Sequence, residues 1–203
     1  MEIIITQERR GEIERIQRDF KSLLSENEIL RGTAQGLNSS LSRTIPKINK
    51  QIKSEYNIAQ KYLSRMAVVS PKATATRLYG GIKINYSPIP ISGFKPKQTR
   101  GNITVTIHKG KTIVIHNAFV TTMASGHKGV YSRGRYVKGR GFIPEVTKTS
   151  TGKIRITELK TASPYTMATG KSVAEDVQTF MEKEITARVT GILKSKINKI
   201  KRT

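Results

Sequence analysis

The apolar residues of this chain change their period twice, and that double switch limits the fold more than any other feature. From Ala34 onward, Leu37, Leu41, Ile45, Ile48, Ile52, Tyr56, Ala59 and Leu63 recur at three- and four-residue spacing, the repeat of one helix face. Pro46 lies inside this series, and a residue without a backbone N–H predicts a kink or break, hence two or three consecutive helices over about 33–66. An earlier series, Ile13, Ile16, Phe20, Leu23 and Leu24, predicts a helix from about Gln7 to Glu26, weakened in its first turn by Gly11. Asn57 suits the left-handed backbone that ends a helix, so Tyr56-Asn57-Ile58 reads as a tight corner before a further turn with Tyr62 and Leu63. That corner also resembles a helix-turn-helix.

After Met66 the period becomes alternating. Leu78, Ile82, Ile84 and Tyr86 fall on one side of an expected strand that Gly80-Gly81 interrupts as a bulge. Pro88-Ile89-Pro90 enforces an extended turn, and Phe94 to Arg100 reads as a basic loop. Ile103, Val105 and Ile107 alternate with Thr104 and Thr106, His108 to Lys111 supply a turn, and Lys111 to His116 return, which predicts a hairpin. Further short strands are expected near Phe142-Ile143 and from Ile154 to Leu159, with a polar turn from Thr147 to Gly152 between them.

The helical period returns at Ser172, with Val173, Val177, Phe180, Ile185, Val189, Ile192, Leu193 and Ile197 on a stripe. Ser172 is the expected cap, with Glu175-Asp176 early and Lys194, Lys196, Lys199 and Lys201 late, the order the helix dipole favours. Helices, then strands, then a helix predict an α+β class: N-terminal helices, a small antiparallel β-sheet with a long basic loop, and a long C-terminal helix. The expected organisation is an N-terminal helical extension over 1–31 and an α+β domain over 32–203, with its sheet at about 74–160 and its last helix at about 172–200.

Charge narrows the partners. The net charge is +23, and residues Gly32 to Pro144 hold nineteen Lys/Arg against the single acid Glu55, whereas Met1 to Arg31 balance six against seven. A field of this kind attracts polyanions or an acidic protein face and repels itself. There is no cysteine, so neither disulfides nor thiolate metal sites hold the fold, in keeping with assembly in a reducing cytoplasm. No apolar run reaches the roughly twenty residues of a membrane span, and Met1 to Ile5 is too short for a signal peptide, so a soluble chain is expected.

Catalytic chemistry finds little support. A zinc site at His116 and His127 needs a distant Glu145 or Glu158. Ser125 stands beside His127 without a nearby Asp to orient the imidazole, so Ser125-Gly126-His127 reads as a turn, with His127 donating to loop backbone or to a subunit interface. The glycine-rich stretch Gly129 to Gly141 lacks the Gly-Lys-Ser/Thr ending of a P-loop and does not fit GxGxxG. No enzyme and no cofactor is expected. Arg133, Arg135, Lys138 and Arg140, with Tyr131 and Tyr136 interleaved, form instead a set suited to phosphate backbones, and Lys95, Lys97 and Arg100 extend it. The same loop also reads as a solvated segment that orders when a neighbouring subunit covers it.

Phe119, Met123, Ser125-Gly126-His127 and Gly129-Val130 resemble the signature of the prophage minor tail protein Z family, the tail completion proteins of long-tailed bacteriophages. The likeness extends over Leu37-Asn38, Leu41, Arg43-Thr44, Glu55-Tyr56-Asn57-Ile58, Ile89-Pro90-Ile91, Phe94, Ile156, Glu158-Leu159 and Ser163, from about Ala34 to Lys194. It implies a structural virion protein at the head-proximal end of the tail, assembled in the host cytoplasm as a ring around the DNA path. The partners it implies are further copies of itself, tail terminator, tail tube or head-tail connector proteins, and viral double-stranded DNA in the lumen, with no membrane. Phe119, Met123, Val130, Ile156 and Leu159 then belong to a subunit or tail contact. The alternative from another class is a free nucleic-acid-binding protein, either sequence-tolerant or using Tyr56-Asn57-Ile58 as a helix-turn-helix with Lys61 and Arg65 in its second element.

Overall fold

The computed structural model describes residues 10–144 and 155–202. The expected turn from Thr147 to Gly152, Glu145, Ile154 and the first residues of the helix expected from Gln7 lie outside them. In chain order the elements are α1 (Arg10–Phe20), α2 (Glu26–Glu55), a 3-10 turn (Gln60–Tyr62), β1 (Ala67–Val69), β2 (Ile82–Ile84), a second 3-10 turn (Ile91–Phe94), β3 (Lys97–Thr99), β4 (Asn102–Thr106), β5 (Thr112–His116), β6 (Ala118–Thr122), β7 (Lys128–Val137), β8 (Gly141–Pro144), β9 (Ile156–Glu158), α3 (Pro164–Ala168) and α4 (Lys171–Ile200). The class is α+β, with small antiparallel sheets and a long C-terminal helix. The chain divides into two compact units, one formed by Met1–Ile52, Arg65–Asn85 and Met167–Thr203, the other by Lys53–Ser64 and Tyr86–Thr166.

The first unit is helical, with the two-stranded antiparallel sheet β1-β2. α1 buries Ile13, Ile16 and Phe20, and Leu24 follows it into the core, while Leu23 stays exposed. α2 starts earlier than the apolar series suggests because Ser25 and Glu28 form a capping box. The Ser25 N–H and hydroxyl both donate to the Glu28 carboxylate (3.0 and 2.6 Å), and the Glu28 N–H donates back to the Ser25 hydroxyl (3.4 Å). The break expected at Pro46 does not occur. α2 runs through it as one helix, because Leu37, Leu41, Ile48 and Ile52 on either side are essentially fully buried, and that packing outweighs one lost hydrogen bond.

α2 lies antiparallel to α4. A side chain at Gly32 would run into Leu193 and one at Gly36 into the Val189 backbone. Ser40 donates to the Glu184 carbonyl, the Lys47 ammonium stands 5.8 Å from the Phe180 ring centre, and the Gln51 amide donates to the Asp176 carboxylate. Each step along α2 is thus matched by a step back along α4. The small residues Gly32, Gly36, Ser40 and Thr44, spaced by four and all buried, let the two backbones approach.

On α4 the buried stripe is Val173, Val177, Met181, Ile185, Val189, Leu193 and Ile197, so Met181 takes the core place expected of Phe180, and Ile192 lies beside the stripe. A step of four overshoots a helical turn by about 40°. The stripe therefore winds around α4, which has α2 on one side and reaches α1 on another, where the Thr186 hydroxyl donates to the Glu12 carboxylate at 2.6 Å. Ser172 is not the cap. The helix begins at Lys171 with Gly170 before it and no side-chain cap. The expected strand from Leu78 shrinks to β2, paired with β1 in the register Val68↔Lys83. Gly80 makes no bulge there; a Cβ on it would stand 2.7 Å from Leu41.

The second unit holds two antiparallel sheets, β3-β4-β5 and a second built on β7, which pairs with β6, β8 and β9. The hairpin β4-β5 forms as expected, in the register Thr104↔Val114. Two expected loops turn out to be strands. The segment from Phe94 to Arg100 contains β3, which pairs with β4. The glycine-rich stretch from Gly129 to Gly141 is mostly β7, ten residues long. The two glycines inside β7, Gly129 and Gly134, mark close contacts: at Gly134, where φ is +147°, a Cβ would stand 2.3 Å from the Ile143 carbonyl oxygen of β8.

The corner after α2 also differs from expectation. Asn57 does not take the left-handed conformation, which among the non-glycine described residues occurs at Lys95 and Asn117. The helix ends because the chain is drawn into backbone pairing: the Asn57 N–H donates to the Ile107 carbonyl at 2.9 Å, the Lys109 N–H to the Glu55 carbonyl at 2.8 Å, and Tyr56 bridges to His108. Only the three-residue turn Gln60–Tyr62 follows before β1. A helix-turn-helix needs a second, recognition helix, so that form of the alternative reading is not supported.

Candidate functional site

β6, the turn after it and β7 carry the segment from Ala118 to Tyr131. The Met123 N–H donates to the His127 carbonyl (2.9 Å) and the Gly126 N–H to the Met123 carbonyl (2.8 Å). Gly126 has φ +80°, a value that glycine takes freely, and the turn presents Ser125, Gly126 and His127 to solvent. Phe119 and Met123 are half-buried, with Phe119 paired across the sheet to Tyr131. Val130 and Leu159 are buried, and the Leu159 N–H donates to the Val130 carbonyl at 2.8 Å.

His127 reaches a residue 31 positions away. Its Nε2 lies 2.8 Å from Oε1 of Glu158 on β9, with the imidazole 54% and the carboxylate side chain 20% exposed. β9 places Glu158 opposite Tyr131 on β7. The absence of a side chain at Gly129 makes room for the carboxylate, since a Cβ there would stand 2.7 Å from the same Oε1. Burial, and then the charge of Glu158, raise the Tyr131 phenol above its ordinary range. His127, Gly129, Tyr131 and Glu158 are thus one cluster, which fixes the tip of the β6-β7 turn to β9. His127 therefore bonds to a carboxylate, where a backbone or intersubunit partner is expected from the sequence. Among the described residues no three His, Cys, Asp or Glu side chains come together in a way that would hold a metal ion.

The later segments of the resemblance gather around the same strands. The Ile91 N–H donates to the Leu159 carbonyl (2.9 Å) and the Thr161 N–H to the Ile89 carbonyl (2.8 Å), so Ile89-Pro90-Ile91 runs alongside Leu159 to Thr161. Phe94, after them, is fully buried. Ser163 accepts from the Thr166 N–H at 3.1 Å and caps α3, with Pro164 in the first helical position. In the helical unit Leu37, Leu41 and Thr44 are fully buried. There the Asn38 amide exchanges two 2.8 Å hydrogen bonds with the backbone of Ala73. Ile156 on β9 is the apolar exception, 46% exposed.

The basic residues fall on two hairpins. Arg133 and Arg135, two apart on β7, share one face of the strand, and Lys138 and Arg140 stand in the β7-β8 turn; all four are exposed. Tyr136 packs edge-on to Phe142 at 5.4 Å, and its hydroxyl is held by the Lys160 backbone, so the base of this hairpin is fixed. Lys95, Lys97 and Arg100 are exposed on and around β3. The sequence offers Glu158 to His127 only as a distant zinc ligand beside His116, and shows neither their direct hydrogen bond nor the strand character of β7. The signal available for both was the segment Ile156 to Leu159, which supplies the partner strand.

No helix among the described residues is long and apolar enough to cross a membrane. No curated protein and no solved structure is significantly similar to the chain. The family model for prophage minor tail protein Z matches residues 13–199, which takes in both units and every segment gathered around β7, and the chain therefore belongs to that family of structural phage tail proteins.

Proposed function

We propose that the chain completes the phage tail at its head-proximal end, as a ring-like oligomer that supports head-tail joining and surrounds the DNA path. Membership of the minor tail protein Z family supports a tail role. The observation that carries the finer reading is the exposure of Arg133, Arg135, Lys138 and Arg140 on one anchored hairpin, within a stretch of nineteen Lys/Arg and one acid. In a lumen such a hairpin meets phosphates without reading bases; on an outer face it meets an acidic tail terminator, tube or connector surface. Phe119, Met123 and Ile156, with the turn that His127 and Glu158 hold in place, form the subunit or tail contact. The role is structural, with no catalytic step assigned to His127 and no cofactor.

Light scattering coupled to size-exclusion chromatography tests this reading: a discrete ring is expected, and a monomer that dimerises only on DNA would favour a free, sequence-tolerant DNA-binding protein. In infected cells, phage carrying neutral residues at Arg133, Arg135, Lys138 and Arg140 should form tails that join heads poorly. Normal joining would count against the proposal.

A further inference from the structure

We propose that β5 is a self-association edge that pairs antiparallel, about a two-fold axis, with β5 of a second copy of this chain. β5 is the outer strand of β3-β4-β5, and among the described residues no strand pairs with its outer side. Its free backbone groups are a template for another strand. Edges of this kind are usually protected by charge, yet Ile113, Val114 and Ile115 stand in a row with no Lys, Arg, Asp or Glu between Thr112 and His116. Val114 is 52% exposed. Ile113 and Ile115 sit opposite the buried Val105 and Ile103 but are themselves only half-buried, so the apolar face is left incomplete at this edge. The other edge is different: Lys97 lies on β3, and the Gln98 side chain accepts the Val120 N–H of β6 at 2.8 Å.

Symmetry and charge select the occupant. A two-fold contact requires each residue to suit its mirror position. Centred on Val114, β5 reads polar, Ile, Val, Ile, polar. Ile113 then meets Ile115 on one face and Thr112 meets His116 on the other, apolar against apolar and hydrogen-bonding against hydrogen-bonding. Copies of a chain with net charge +23 repel one another, and an uncharged strand is where two can approach. A polyanion or an acidic protein would select the basic hairpins instead. This inference does not depend on the ring.

The purified full chain is the test material. Because the sequence has no cysteine, Val114→Cys is a single-thiol probe. Mild oxidation should give a disulfide-linked dimer from it and none from Thr99→Cys on β3. The unmodified chain should associate more strongly as sodium chloride is raised, because screening weakens like-charge repulsion, whereas any DNA contact weakens. Val114→Lys should lower the association constant at least tenfold with an unchanged circular dichroism spectrum. A chain that stays monomeric at all salt concentrations, an association that Val114→Lys leaves intact, or a Val114→Cys chain that gives no more disulfide-linked dimer than Thr99→Cys would each overturn the proposal.

Discussion

The Ser40 hydroxyl on α2 shares its single hydrogen between the Glu184 backbone carbonyl on α4, at 3.0 Å, and the Gly36 carbonyl of its own helix, at 2.9 Å. A side-chain oxygen this close to a neighbouring helix backbone requires the helices to be nearly in contact, which Gly36 allows: a Cβ there would lie 2.7 Å from Val189 Cα. Gly36→Ala should therefore destabilise the chain by roughly 1–3 kcal/mol, because overpacking against backbone outweighs the gain of about 1 kcal/mol in helix propensity. At Gly191 on α4 nothing lies within 4 Å of an added Cβ, so Gly191→Ala should stabilise by up to about 1 kcal/mol. Thermal unfolding of the two variants checks the contrast.

Phe119→Ala removes an aromatic ring paired with Tyr131 but only half-buried. The monomer should stay folded, and assembly should weaken by on the order of 2 kcal/mol if the ring anchors a contact. Outright unfolding of the variant in circular dichroism would make Phe119 a core residue and remove it from the contact.

His127→Asn should leave the fold intact and cost about 1 kcal/mol or less, the scale of one exposed hydrogen bond. Assembly should persist, and elemental analysis of the purified wild-type chain should find no stoichiometric metal. Bound zinc at one per chain would show that the His127–Glu158 pair recruits a further ligand.

Neutralising Arg133, Arg135, Lys138 and Arg140 together should reduce the slope of log affinity for DNA against log salt by up to about four units, if each meets a phosphate. The loss should be the same on unrelated DNA sequences. A strong preference for one site would contradict backbone contact.

Glu28 has a carboxyl held below its ordinary range, first by the Ser25 hydroxyl and then by the Ser25 backbone N–H. A depressed carboxylate contributes stability that is present above its unfolded value and lost as pH falls through the folded one. Protection of the first α2 amides against hydrogen exchange should therefore fall on acidification below the usual Glu range. Ser25→Ala should remove that pH dependence.

The elements legible in the sequence were those with a period of their own. The Ile103-Val105 alternation gave β4, and the Ile13-Ile16-Phe20 spacing gave α1. β7 was missed because Arg133, Gly134 and Arg135 read locally as a loop, and only pairing with β6, β8 and β9 makes them a strand. Pro46 misled for the converse reason: its local cost is real, but buried Leu41 and Ile48 on either side decide the outcome. At the site, His127 reads from the sequence as a turn residue and Glu158 only as a distant zinc ligand; their direct bond across 31 positions depends on the β7-β9 register.

The α2-α4 register also bears on how the chain folds. Ser40 and Glu184 are 144 positions apart, whereas the strand pairs within 97–137 close over short loops. Closing a long loop costs more entropy than closing a short one, and contacts of high sequence separation slow folding. The strands from β3 to β7 are therefore expected to gain protection first in pulsed hydrogen exchange, and the helix pair last. On a ribosome α2 must wait, with its small-residue face unpaired, until α4 has been synthesised.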